Sequence, residues 1–308
     1  MKILIYGAGV IGRIFAHHLQ EDGHHVTVLA RGKTYEDLEQ HGIVIHDKIY
    51  DKKYRSKVNL INKLDPNDIY DIILVIMQQH QAREILSILK ENKSPLIVFV
   101  GNNIRGAEDY IEKIDKERIL LGFGGPGGYR DDFKIIAAYV ENAILYIGEL
   151  DKNISDRLRF IEKEFTNSGI KVEIIDDMDA WLKSHGAFVI PLALAIYIAH
   201  QNNISLIEDK ELFNHCVLAI KENIRAIEEI GFQILPKKLR WLKWIPKFLI
   251  KYQIKKLYDS EFGEIALSGH AIAAPKEFIS LLNDFKKITG EKFDKCPSSA
   301  YLSELINN

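Results

Sequence analysis

Three glycines spaced Gly7-x-Gly9-x-x-Gly12 are the first residues in the chain whose types and spacing suggest chemistry. The spacing suits a phosphate. The first glycine allows a tight turn, and the second lets a pyrophosphate approach the backbone. The third lets the following helix pack close to the strand. Ala8, Val10 and Ile11 fill the intervening positions. The helix start adds unpaired N–H groups and the positive end of a dipole. Lys2–Tyr6 reads as an apolar strand ahead of the glycines, and Ile11, Phe15 and Leu19 recur at helical spacing behind them. Strand, glycines and helix in this order are the context a dinucleotide site requires. The alternative is a glycine-rich turn with no nucleotide.

A second strand is expected over His25–Ala30, followed by Arg31, Gly32 and Lys33. An NAD site usually places Asp or Glu at this strand end, where it binds the ribose 2′-hydroxyl. Here Arg31 and Lys33 stand where no acid does, and both could pair with a 2′-phosphate, so NADP(H) is the expected cofactor. As solvated loop cations they would have no such role, and for Lys33 both readings stay open. After a later strand, Leu96–Val100, come Gly101, Asn102 and Asn103. Ligands in such sheets bind at the carboxyl ends of strands, which suits Asn102 to a nicotinamide. Asparagine is equally a common turn residue.

The elements that must position these residues follow from periodicity. Tyr35–His41 reads as helix, and the stretches beginning at Gly42 and Lys57 as strands. Ile72–Ile76 is a continuous apolar run of the kind found in parallel strands buried on both faces. Gln81–Glu91 reads as one crossover helix, and Ile119–Phe123 as a strand. The glycines of Gly124–Arg130 read as a flexible loop that closes over a ligand or merely turns the chain. Ile135–Val140 and Ala143–Ile147 read as a strand pair, Ser155–Asn167 as a helix and Lys171–Ile175 as the last strand.

From the acidic cluster Asp176, Asp177 and Asp179 onward the pattern is helical: Ala180–Gln201 kinked at Pro191, Leu206–Ile230, Lys237–Lys256, Glu261–His270, Lys276–Lys287 and Ala300–Ile306. The expected fold is therefore α/β, a Rossmann-type dinucleotide-binding domain over residues 1–175 followed by an all-helical domain over 176–308.

Composition limits the classes available. A chain of 308 residues suits two domains, and 47% hydrophobic and 27% charged residues are ordinary for a globular protein. A net charge of −2 gives no general pull toward nucleic acid. Cys216 and Cys296 stand apart in no metal-binding pattern, so no metal is expected and free thiols of a reducing cytoplasm explain them. The first residues read as a strand rather than a secretion signal. The apolar stretch 186–199 is short for a bilayer and reads as a core helix. In 237–256, basic and aromatic residues interleave, as in a membrane-surface or partner-binding helix. The favoured reading packs Trp241, Trp244, Phe248 and Leu249 on the domain and leaves the lysines in solvent.

The glycine motif, Arg31, Asn102 and the pair Trp181-x-Lys183 together resemble the ketopantoate reductases. The element order matches along essentially the whole chain, and Trp-x-Lys is the more specific part. The resemblance implies NADPH-dependent reduction of a 2-oxo acid, as in pantothenate biosynthesis, by a cytoplasmic homodimer. It implies Lys183 as general acid and Asn102 beside the nicotinamide and substrate. Glu264, in Gly263-Glu264-Ile265, matches the family's late glutamate. That glutamate orients the lysine or hydrogen-bonds the substrate. Three positions depart from the family. Gln78 stands at a cofactor position usually held by lysine, Ala187 at a substrate position usually held by asparagine, and Ala266 where an aspartate is usual. These departures fit a reductase of a different oxo acid, or an NADP(H)-binding sensor or interaction protein without turnover. His185, His200 and His270 read as packing or surface residues, and His270 could share the pocket of Glu264.

Overall fold

The computed structural model describes residues 1–125, 127–199, 203–269, 272 and 274–307. The strands in chain order are β1 (Lys2–Tyr6), β2 (His25–Leu29), β3 (Ile43–Asp47), β4 (Lys52–Ser56), β5 (Asn59–Ile61) and β6 (Ile72–Ile76). They continue as β7 (Ile97–Val100), β8 (Ile119–Gly125), β9 (Gly128–Asp131), β10 (Lys134–Ala137), β11 (Ile144–Gly148) and β12 (Lys171–Ile174). The helices are α1 (Val10–Glu21), α2 (Lys33–His41), α3 (Gln79–Glu84), α4 (Leu86–Glu91), α5 (Glu108–Ile111), α6 (Asp156–Asn167) and α7 (Met178–Ile198). Then come α8 (Asn203–Glu208), α9 (Lys210–Glu229), α10 (Lys247–Tyr258), α11 (Pro275–Thr289) and α12 (Pro297–Asn307).

Two units divide the chain: Met1–Gly101 with Ala107–Met178, and Asn102–Gly106 with Asp179–Asn308. The division falls after Met178 rather than after residue 175, and the short segment Asn102–Gly106 goes with the second unit.

The first unit holds an eight-stranded sheet in the order β12-β11-β8-β7-β6-β1-β2-β5. Every neighbouring pair is parallel except β11 with β8. β1 lies between β6 and β2, with Tyr6 opposite Val75 and Leu29. Each of these strands is an apolar run, because both faces of a parallel sheet are covered. A second sheet, β4-β3-β10-β9, packs over α1. Arg13 Nη1 donates to Phe133 O at 2.7 Å, and the His17 ring lies 5.2 Å from that of Tyr54. Covered from both sides, α1 is buried over nearly its whole length and carries little charge.

This second sheet corrects two expectations. β10 and β11 are not a pair: β10 joins β3 and β9, while β11 joins β8 and β12. The glycine stretch is not a free loop either. Gly124 and Gly125 end β8, and Gly128–Arg130 belong to β9; Pro126 lies outside the described residues. A Cβ on Gly128 would fall 2.2 Å from Ile136 O, and one on Gly124 2.8 Å from Ile11 Cγ2. The glycines serve close strand and helix approach there rather than flexibility. The expected crossover helix is broken at Ile85 into α3 and α4.

The helical unit is built around α7, a helix long and apolar enough to cross a membrane by length and composition, with 72% of its apolar window buried inside the protein. It runs on through Pro191. Proline has no N–H for the carbonyl four residues back, and that carbonyl, of Ala187, accepts from Asn223 Nδ2 at 3.4 Å. Asn223, fully buried on α9, in turn accepts from Ser299 Oγ of α12 at 2.6 Å. One asparagine therefore satisfies polar groups of two other helices. The expected single helix from Leu206 is two, because Asp209 caps a fresh start by accepting from the Glu211 and Leu212 N–H groups. Glu261–His270 contains a π-helical stretch, Gly263–Ser268. Both cysteines are buried, which raises each thiol to about 12.

Residues 237–256 are not one helix and do not pack as expected. Lys237–Lys243 is a 3₁₀ helix, Pro246 interrupts, and α10 follows. With three residues per turn, Leu239, Leu242 and Ile245 share one side and pack on the core. Trp241 and Trp244 are left outside with Phe248 and Leu249.

Asn223→Leu keeps the volume but strands the Ala187 carbonyl and the Ser299 hydroxyl. The expected loss, read from urea unfolding, is about 1–3 kcal/mol.

Candidate functional site

In the first unit the glycines divide their work by geometry. Gly7 has φ +123°, and a Cβ there would sit 2.2 Å from Ile76 O. A Cβ on Gly12 would fall 2.0 Å from Gly7 O, so α1 can start close to β1 only without a side chain. Gly9 differs: a Cβ there would meet nothing within 4 Å. Its backbone is exposed, and it caps α1 with no side chain competing for the first N–H groups. An open backbone at an uncapped helix start is an anion cradle. Ala8 is buried, and Val10 and Ile11 lie half-buried against the core.

Arg13 was missed by sequence reasoning. It is fully buried, and its Nε donates to Ala8 O at 3.0 Å, fixing the glycine turn from below. Its Nη2 is buried without a partner among the described atoms. Burial lowers this guanidinium to about 10, with the Arg130 charge acting in the same direction. A charged residue at an otherwise apolar position of α1 was the only signal for it.

Beyond β2, Arg31 is exposed and donates from Nη2 to Tyr6 Oη at 3.1 Å. Burial raises the Tyr6 hydroxyl, against the lowering effect of Arg31. Lys33 Nζ lies 3.2 Å from Asp132 Oδ1, both side chains well exposed, a pairing of little energetic weight. Gln78 is half-buried and precedes α3 in an extended conformation.

The helical unit brings a second group together. Lys183 is 3% exposed on α7; its ammonium is paired with Asp179 one turn back and lies 4.4 Å from the Phe232 ring centre. Trp181, two residues earlier, stacks on His185. The segment Asn102–Gly106 packs beside this pair. Gly106 has φ +69°, and a Cβ there would fall 2.1 Å from Asp179 Oδ1 and 3.5 Å from Lys183 Nζ. Asn103 shapes the turn, donating to Gly106 O at 2.6 Å and accepting from the Arg105 N–H at 3.1 Å. Ile104, fully buried, lies so close to Gly186 that a Cβ on the glycine would stand 2.8 Å from Ile104 Cδ1.

Asn102 Nδ2 donates to Glu277 Oε1 at 2.7 Å, while its Oδ1 is buried without a partner among the described atoms. Glu277 is 5% exposed in the first turn of α11. Sequence reasoning missed it. The signal was an acid on the face that also carries Phe278, Leu281, Leu282 and Phe285, all buried. Glu264 is exposed on the π-helical stretch, with its N–H bonded to Ser260 O at 3.0 Å. Ala187 is a fully buried core residue and Ala266 is half-buried. His200 and His270 lie outside the described residues. The helical unit thus holds two polar pairs, Lys183 with Asp179 and Asn102 with Glu277, and the Asn102–Gly106 segment reaches the first of them at Gly106.

Residues 3–152 match the family model of ketopantoate reductase PanE/ApbA, so the first unit carries that domain. An uncharacterized oxidoreductase of Bacillus subtilis, YkpB, is 27% identical over 190 residues, covering 59% of this chain and 61% of that protein. A 2-dehydropantoate 2-reductase of Archaeoglobus fulgidus is 24% identical over 185 residues, covering 59% and 60%. The chain therefore spans about three-fifths of the length of these curated relatives. Among solved structures, 2-dehydropantoate 2-reductase from Geobacter metallireducens superposes with TM-score 0.81 at 15% identity, covering 100% of this chain and 99% of that one. D-mandelate dehydrogenase with NADH and anilino(oxo)acetate gives 0.78 at 16% identity, covering 100% and 97%. At such identities the likeness is one of fold.

The glycine geometry makes a stability prediction. Gly12→Ala forces a methyl onto a backbone carbonyl and is expected to cost about 1–3 kcal/mol. Gly9→Ala enters open space and is expected to leave the thermal midpoint of unfolding unchanged; both are read by calorimetric melting.

Proposed function

We propose that this protein is an NADPH-dependent reductase of a 2-oxo acid, working in the cytoplasm as a relative of the ketopantoate reductases. The observation that carries the reading is the buried Lys183, two residues after Trp181, with its ammonium held by Asp179. A lysine is almost never buried without a task or a partner. The turn that begins at Asn102, whose Oδ1 has no partner among the described atoms, packs against it at Gly106.

The residues of the first unit fit a phosphorylated dinucleotide. The open backbone at Gly9 and the start of α1 suit the pyrophosphate, and the exposed Arg31 suits the 2′-phosphate. Lys33, tied to Asp132, is a weaker candidate for the same phosphate. Gln78 offers an amide near the end of β6. When bound, a reduced nicotinamide supplies the hydride for the carbonyl carbon. The chain must then deliver a proton to the carbonyl oxygen and hold the carbonyl in place. Lys183 Nζ donates that proton, and Asp179, partly open to solvent, hands the amine its replacement. Asn102 orients the carbonyl or the nicotinamide amide, and Glu277 fixes the rotamer of Asn102 through its hydrogen bond. Glu264, matched by resemblance to the family's late glutamate, orients Lys183 or takes a hydrogen bond from the substrate. Ala187, small and apolar where the family has asparagine, supports the alternative that the reductase acts on an oxo acid other than ketopantoate.

Lys183→Ala is expected to slow NADPH oxidation with the best 2-oxo acid by about 10²–10⁴-fold. Wild-type speed in that variant rejects the assignment. NADPH that binds by calorimetry but is oxidised with no member of an oxo-acid panel marks a sensor instead, a reading the replaced residues Gln78, Ala187 and Ala266 would then explain. Arg31→Ala is expected to raise KM for NADPH about ten-fold and leave NADH use unchanged, since only the former carries the 2′-phosphate.

A further inference from the structure

The segment 237–256 holds seven lysines, one arginine and no Asp or Glu. Its two helical pieces place their apolar residues on opposite sides. Leu239, Leu242 and Ile245, then Ile250, Ile254 and Tyr258, turn into the helical core. The other side carries Trp241, Trp244, Phe248 and Tyr252, which are 66%, 71%, 69% and 64% exposed, with Leu249 beside them. At about 100° per residue, Phe248 and Tyr252 on α10 point away from Ile250, Ile254 and Tyr258, and Lys255 and Lys256 share their side. Arg240 Nε bonds Glu228 Oε1 at 2.9 Å, and Lys243 pairs with the same carboxylate. Lys251 is drawn toward the Phe213 ring at 5.4 Å. None of the residues placed in the oxo-acid site lies in this segment.

We propose that this face docks on the surface of an anionic lipid bilayer. Trp and Tyr rings rest at headgroup depth, where one end of each ring is apolar and the other wet. Lysines around them reach anionic headgroups while their methylenes lie along the apolar boundary. A row of exposed aromatics with basic flanks and no acid is the composition of a helix lying in the membrane interface. Charge argues against a second copy of this chain as the occupant. An isologous contact sets the face against itself and brings cations onto cations.

The test is co-sedimentation with vesicles of phosphatidylcholine, alone or with roughly a third phosphatidylglycerol. Binding to the anionic vesicles is expected to exceed binding to the neutral ones about ten-fold. It should weaken with added salt, because exposed charges are screened beyond about 8 Å at physiological ionic strength. Tryptophan emission should shift to the blue as Trp241 and Trp244 leave water, while the buried Trp181 stays constant. The variant Trp241→Ala/Trp244→Ala/Phe248→Ala should lose both signals, and Lys247→Glu/Lys255→Glu/Lys256→Glu the anionic preference, each keeping the wild-type melting temperature. Equal binding to both vesicles, or unchanged binding by the aromatic variant, overturns the proposal. So does sedimentation velocity showing a wild-type dimer that the aromatic variant breaks, and so does tighter binding to a single-stranded oligonucleotide than to the anionic vesicles.

Discussion

A methyl group on Gly12 would sit 2.0 Å from the carbonyl oxygen of Gly7, and the first unit depends on that closeness. Because the two backbones nearly touch, α1 leaves β1 at one angle only. That angle slides the helix between the eight-stranded sheet and the smaller one, where Arg13 can reach both Ala8 O and Phe133 O. The helix is consequently buried from Gly12 to His17, and its start has no capping side chain. Gly9 is the one glycine of the three left free of neighbours. A site for an anion thus arises from two contacts that exclude side chains and one place that does not.

The helical unit uses the same device for a different end. Gly106 and Gly186 let the Asn102–Gly106 segment lie against α7, so that an ammonium, its carboxylate and an asparagine come together within one unit. Burying Lys183 costs several kcal/mol of lost hydration unless it is paired. Asp179 and the Phe232 ring offset that cost. Glu277 does for Asn102 what Asp179 does for Lys183: it removes rotamer freedom from a side chain whose remaining polar atom has no partner among the described atoms. Fixing a group before its ligand arrives is how a site avoids the entropy of ordering it later.

The first half of the chain was legible because its signals are local. Apolar runs, glycine spacing and the order of elements placed β1, α1, β2, β6 and β7 close to where they lie. The second sheet was not legible, because β10 pairs with β3 far back in the chain, Ile135 opposite Ile45, and the short runs of β9 and β10 alternate weakly. Glycines that permit close approach look, in a sequence, like glycines that permit motion, which is why Gly124–Arg130 read as a loop. The basic aromatic segment failed for another reason. A 3₁₀ turn and an α-helix have different periods, so one helical wheel drawn across Pro246 puts the tryptophans inward, whereas Leu239, Leu242 and Ile245 take that place. Of the cluster in the helical unit, Lys183 and Asn102 came from resemblance. Glu277 could be found only by asking why an acid lies on an apolar helix face.

Cys216 and Cys296 are both free thiols. Both thiols are buried, and burial pushes them well above the ordinary thiol range, so the reactive thiolate is scarce at neutral pH. Peroxide and alkylating agents attack thiolates, and neither sulfur offers one at a surface. A reagent from solvent reaches either sulfur only when the helical unit opens, so thiol labelling would report that opening.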